Sequence, residues 1–195
     1  MRITTGIYKG RNLKMPKGIR PTQNIVRKAI FDILGDIEGL SFLELFAGSG
    51  AVGLEAASRG AKEVVFVENN SQVLKALTQN LSYVLYPTYD ILPLDTQVAV
   101  KRLAQGGRKF DIIFLDPPYH KETATPNPKG KVGVPLSAAK KTLQTIMAYD
   151  ILSPTGLIIA QHSKKESLPE RLGVLSLLKQ STYGDTTLSF YKMLR

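Results

Sequence analysis

Leu43-Glu44-Leu45-Phe46-Ala47-Gly48-Ser49-Gly50-Ala51-Val52-Gly53 is the stretch on which the fold turns. Its glycines match G-x-G-x-x-G, which carries weight only between a strand and a helix. Both are present. Leu40 to Phe46 is apolar and strand-like, and Gly50 to Ser58 suits a helix. Glycines there make the tight turn and let a ligand approach the backbone, while the helix that follows offers unpaired amides. A second strand, Glu63 to Glu68, ends in a carboxylate about 20 residues beyond the loop, where a ribose diol can donate to it.

Outward from this unit, strands alternate with helices, the pattern of an α/β, Rossmann-like parallel sheet covered on both faces. Helices are expected at Ser71 to Ser82, Thr96 to Ala104 and Leu136 to Tyr149. Strands are expected at Asp90 to Leu94, Phe110 to Leu115, Gly156 to Gln161, Val174 to Lys179 and Thr187 to Met193. Residues 120–135, rich in proline and glycine, read as a long loop. Upstream, Thr22 is placed to cap a helix that runs to Gly35. Residues 1–20 read as a short basic hairpin flap, and 21–195 as the α/β domain.

The 195 residues carry a net charge of +10 with no cysteine and two histidines. Disulfides and thiolate metal sites are excluded, a histidine-rich metal site is not expected, and a polyanionic partner is favoured. The charge is uneven. Before Asp32 there is no acid, but there are Arg2, Lys9, Arg11, Lys14, Lys17, Arg20, Arg27 and Lys28. No apolar run reaches the length of a membrane helix, and the basic start lacks the apolar core of a secretory signal.

The glycine loop alone serves nicotinamide and sulfonium cofactors equally. Glu44 separates them: an acid inside an apolar strand repels a pyrophosphate and attracts an ammonium. A salt bridge from Glu44 to Arg20 or Arg27 is the structural alternative. Glu68 is otherwise a solvated strand-end acid, and Asp95 either accepts from an adenine amine or caps the next helix. At the end of the strand Phe110 to Leu115 stands Asp116-Pro117-Pro118-Tyr119. The Asp116 carboxylate and Pro117 carbonyl are suited to hold the two hydrogens of an exocyclic base amine, with Tyr119 as a stacking face. Such an amine is a weak nucleophile, because its lone pair is delocalised into the ring. Two acceptors aim that lone pair at an incoming methyl.

Taken together, Arg20-Pro21-Thr22 with Arg27 and Phe31, the segment Leu43 to Gly50, Ser58-Arg59-Gly60-Ala61, Phe66-Val67-Glu68, Asp116 to Tyr119 and Tyr183-Gly184-Asp185-Thr186 resemble the RsmD family. These are bacterial 16S ribosomal RNA (guanine-N2)-methyltransferases. The resemblance implies a class I methyltransferase fold of seven strands with the last antiparallel, extended by an N-terminal β-hairpin that helps bind RNA. It implies S-adenosylmethionine as donor, held by Glu44, Phe46, Ala47, Gly48, Ser49, Gly50, Glu68 and Asp95. Asp116, Pro117 and Tyr119 are the implied catalytic residues. Lys9, Arg11, Lys14, Arg20 and Arg27 are candidates for RNA, in the form of small-subunit ribosomal RNA or the 30S particle. A cytoplasmic monomer without metal or membrane contact is expected.

Three positions depart from the family pattern: Glu44 where aspartate is usual, Lys28 near a usual acid, and Gln161 where glutamate is common. Gln161 is given no catalytic role. A DNA adenine or cytosine amino-methyltransferase, a non-catalytic RNA-binding assembly factor and a dehydrogenase are the competing readings.

Overall fold

A computed structural model describes residues 1–16, 22–118 and 136–194. In chain order the elements are α1 (Asn24–Leu34), β1 (Ser41–Leu45), α2 (Ala51–Ser58), β2 (Glu63–Val67), α3 (Ser71–Leu81), β3 (Thr88–Leu92) and α4 (Thr96–Gln105). Then come β4 (Phe110–Leu115), α5 (Ala138–Tyr149), β5 (Leu152–Ser163), β6 (Arg171–Leu172), β7 (Leu175–Tyr183) and β8 (Thr186–Met193). The strands form one sheet in the order β3-β2-β1-β4-β5-β8-β7-β6. β3, β2, β1, β4 and β5 are parallel, and β8 enters antiparallel between β5 and β7. This is the expected methyltransferase sheet with one addition. The two-residue β6 pairs with β7 at the edge, giving eight strands where seven are expected.

Near-continuous apolar runs make these strands central, because alternate residues of each serve different cores. Phe42, Val64, Phe66, Ile112 and Phe114 face α1, α2 and α3. Their neighbours Leu43, Leu45, Val65, Val67, Ile113 and Leu115 face α4 and α5. Each such side chain removed from water contributes about 1.5–3 kcal/mol before entropy is counted. Strand order reverses between β1 and β4, so the crevice that parallel sheets use for ligands opens at the carboxyl ends of those two strands.

The third strand is displaced from its expected position. It runs Thr88–Leu92, two residues earlier, starting directly after Pro87 and stopping before Pro93, which cannot donate to the ladder. β5 begins at Leu152, before Pro154 and Gly156, and a register shift between Phe110 and Ile112 on β4 accommodates those residues. Asp95 caps α4, one of the two roles expected of it, and Asn70 and Ser137 cap α3 and α5, each accepting from backbone amides. At α1 the cap position belongs to Gln23 and has no side-chain bond, since the Thr22 hydroxyl is directed elsewhere.

The N-terminal segment closes on itself around one bridge, Arg2 to Asn12, with Ile3 donating to the Arg11 carbonyl at 3.0 Å, Gly10 to the Ile3 carbonyl at 2.9 Å and Leu13 to the Met1 carbonyl at 2.8 Å. Between the two arms, the residues around Gly6 press onto α2. Ile7 donates to the Ser58 carbonyl at 2.8 Å, and Thr4 gives both its amide and hydroxyl to Glu55. A Cβ at Gly6 would lie 1.6 Å from that Ser58 oxygen, so only glycine permits the approach. Ile3 and Leu13 are buried in the α1–α3 core.

Candidate active site

Three carboxylates stand at the ends of β1, β2 and β4. Glu44 on β1 lies in register between Phe66 of β2 and Phe114 of β4, and is 2% exposed. Its Oε2 accepts the Gly53 amide of α2 at 2.9 Å, so the acid caps a helix whose own N-cap, Gly50, makes no side-chain bond. A Cβ at Gly53 would sit 2.4 Å from the Phe66 ring and 2.7 Å from the Glu44 carboxylate. The third glycine of the motif is therefore what lets acid and helix meet. Burial pushes the Glu44 carboxyl up to about 8; the Gly53 and Val52 amides oppose this, and the Asp116 and Glu68 carboxylates add to it. The expected alternative, a salt bridge from Glu44 to Arg27, is not the arrangement observed, because the Arg27 guanidinium lies 3.7 Å from Glu55.

Glu68 follows β2 and closes the loop from the other side. Oε2 accepts the Gly48 amide and Oε1 accepts those of Asn69 and Asn70, each at 2.9 Å. These bonds fix the carboxylate without burying it fully. Between the two acids Phe46 takes a left-handed φ of 60°, and Ala47 donates to the Val67 carbonyl at 2.9 Å. A non-glycine residue in that region stores strain, which clusters at ligand sites. Ala47 and Ser49 are buried, and the Ser49 carbonyl accepts from Asn80 at 2.9 Å. Asp95 is exposed and caps α4 through Gln97 at 2.9 Å.

Asp116 follows β4, with its amide directed at the Leu45 carbonyl 3.4 Å away across the switch point. Its Oδ2 accepts from Gln161 Nε2 at 2.8 Å and lies 3.4 Å from the Thr22 hydroxyl. Pro117 is buried and Pro118 exposed. Tyr119 and His120 lie outside the described residues. Sequence reasoning missed Gln161 and gave Thr22 another task. The pairing follows from register: Leu115 of β4 stands beside Ala160 of β5, so the next residue of each strand emerges side by side.

The basic candidates divide. Lys9, Arg11 and Lys14 are exposed, and the Arg11 guanidinium stacks over the Tyr83 ring at 4.9 Å. Arg20 lies outside the described residues. Arg27 is corrected: it is 1% exposed, enclosed by the N-terminal segment, bonded to the Arg2 carbonyl at 2.5 Å and paired with Glu55. A side chain so enclosed cannot reach a phosphate. Beside α1 an open groove of about 340 Å³ is lined by Lys28, Lys179 and Tyr183 among others.

This chain resembles known proteins over its whole length. A family model described as "Conserved hypothetical protein 95" matches residues 1–192. The chain is 36% identical over 195 residues to the ribosomal RNA small subunit methyltransferase D of Escherichia coli K12, covering 98% of this chain and 89% of that one. Its identity to the Haemophilus influenzae protein of the same name is 30% over 199 residues, covering 98% and 93%. A hypothetical protein from Thermus thermophilus has the same fold, with a TM-score of 0.80, 30% identity and 99% of both chains covered. The chain belongs to the family described as Conserved hypothetical protein 95, the RsmD family that its motifs resemble.

Proposed function

We infer that this chain transfers a methyl group from S-adenosylmethionine to the N2 amine of a guanine in small-subunit ribosomal RNA. The observation that carries this is the convergence of Glu44, Glu68 and Asp116 on one crevice at the switch point, where the acids are near enough that two of them raise the carboxyl of the third. A dinucleotide's pyrophosphate is repelled by that field. A donor bearing an ammonium and a sulfonium is favoured by it. The fit is specific in its parts: Glu68 is preset for a ribose diol, the glycines admit close backbone approach, and Glu44 is the acid for the ammonium, directly or through water. The names of the relatives in E. coli and H. influenzae supply ribosomal RNA as the substrate class.

Bound there, the donor supplies an electrophilic methyl on a good leaving group. The protein's task is alignment. Asp116 and the Pro117 carbonyl accept the two hydrogens of the amine, so its lone pair points along the transfer line, with Tyr119 stacking on the base. A structured target needs its base turned out to reach them. As the N–C bond forms and the S–C bond breaks, the nitrogen becomes acidic, and Asp116 or water takes its proton. Alignment of this kind lowers a barrier by about 7–11 kcal/mol. We assign the exposed Lys9, Arg11 and Lys14 to the phosphate backbone, with the chain acting as a cytoplasmic monomer on the RNA or on the 30S particle.

The second reading is a DNA amino-methyltransferase, because Asp-Pro-Pro-Tyr serves adenine and cytosine amines by the same geometry. Incubation with methyl-labelled donor plus either small-subunit ribosomal RNA or duplex DNA separates the two. The expected result is label in RNA, recovered as N2-methylguanosine. Label confined to DNA overturns the reading.

A further inference from the structure

We propose that Gln161 selects the base: its side-chain oxygen accepts the N1–H of the guanine whose N2 amine is held at Asp116, and so rejects adenine and cytosine. The proposal rests on the methyl-transfer reading above and deepens it. Gln161 is 5% exposed, and its Nε2 donates to Asp116 Oδ2 at 2.8 Å. That bond fixes which way the amide faces. An ionised carboxylate only accepts, so turning the amide over would set oxygen against oxygen. The other end of the same amide, Oε1, is buried and has no hydrogen-bond partner among the described residues. Buried acceptors are nearly always satisfied, and an exception calls for a reason. Oxygen and nitrogen of one amide are about 2.2 Å apart, which keeps Oε1 within about 5 Å of the Asp116 carboxylate.

The chemistry of that pair is specific. Guanine carries its N2 amine beside N1–H, two donors in a row, and Asp116 with Gln161 Oε1 presents two acceptors. Adenine carries its N6 amine beside a bare N1, and cytosine its N4 amine beside a bare N3. Either would bring a lone pair against Oε1, and the Asp116 bond denies the amide the flip that would relieve it. A site built to receive a hydrogen bond discriminates strongly against an analogue that lacks the donor.

The test uses small-subunit ribosomal RNA prepared by ligation with either guanine or 2-aminopurine at the methylated position. 2-Aminopurine keeps the 2-amine and lacks N1–H. The wild-type protein is expected to favour guanine by at least about a hundredfold in kcat/KM. Gln161→Leu should reduce that ratio at least tenfold, because misorientation of Asp116 slows both substrates alike and cancels in the ratio. A wild-type ratio near one, or a ratio unchanged in Gln161→Leu, overturns the proposal; the first of these stands even if the leucine variant does not fold. Absence of N2-methylguanosine from the unsubstituted RNA would instead sink the methyl-transfer reading itself, and with it this one.

Discussion

With Glu44 as the acid that meets the donor's ammonium, donor binding becomes a proton-coupled event. Burial pushes the Glu44 carboxyl up to about 8 in the folded chain, so at pH 7 most molecules hold its proton. A cationic donor selects the ionised form. Binding at pH 7 should therefore release close to one proton, and affinity should rise severalfold, at most about tenfold, from pH 6 to pH 7. Above pH 8 the donor's own α-ammonium begins to lose its proton, which closes the window. Isothermal titration calorimetry with S-adenosylhomocysteine, in buffers of different ionisation enthalpy, measures the protons directly. The Glu44→Gln variant should bind more weakly at pH 7.5 and release none. Folding carries the opposite sign: between pH 4.5 and 8 the folded state holds a proton that the unfolded state has shed, so the unliganded protein loses up to about 1.4 kcal/mol of stability per pH unit as pH rises. Donor affinity that is flat from pH 6 to 7.5 in the wild type, with no difference in proton release from Glu44→Gln, would refute the assignment of Glu44 to the ammonium.

Asp116→Asn should abolish methyl transfer while calorimetric donor affinity stays within about twofold, since the residue serves the acceptor amine; comparable loss of both would reassign it to the donor. Glu68→Ala should weaken the donor by about 1.5–3 kcal/mol, the scale of hydrogen bonds to a charged group, measured by the same titration. Reversal of Arg11 and Lys14 to glutamate should flatten the logarithmic salt dependence of RNA affinity by about 0.7–0.9 for each phosphate no longer neutralised, read by filter binding between about 50 and 200 mM salt. Arg27→Ala should lower unfolding free energy by about 0.5–3 kcal/mol in urea melts, because it empties a fully buried site and removes one of the two guanidinium partners of Glu55, Arg59 remaining at 3.1 Å, and should leave that salt slope unchanged.

Much of this site was legible because its signals are local. The glycine spacing, the strand before it and Glu68 after β2 lie within one unit of chain, and the structure joins Gly48 to Glu68 at 2.9 Å. Asp116 was legible because β4 is apolar throughout except at Asp111 and its end is marked by two prolines. What the sequence did not disclose depends on contacts between distant segments. Arg27 falls off the main apolar stripe of α1, and nothing nearby in the sequence says that residues 2–4 return to cover that side and that Glu55 waits there. Gln161 meets Asp116 only through the register of β4 with β5, which is shifted by the irregularity at Phe110 and Ile112. The N-terminal ladder is interrupted for a similar reason: the amides of Thr4, Ile7 and Tyr8 are claimed by Glu55 and Ser58 of α2.

The central claim is that one crevice holds the donor's sugar at Glu68, its ammonium at Glu44, and the acceptor amine at Asp116. A crystal structure with S-adenosylhomocysteine tests it most directly. The account predicts ribose hydroxyls within hydrogen-bond distance of Glu68 and the sulfur turned toward the Asp116-Pro117 end of β4. A nucleoside bound elsewhere, or a sulfur facing away from Asp116, would contradict it.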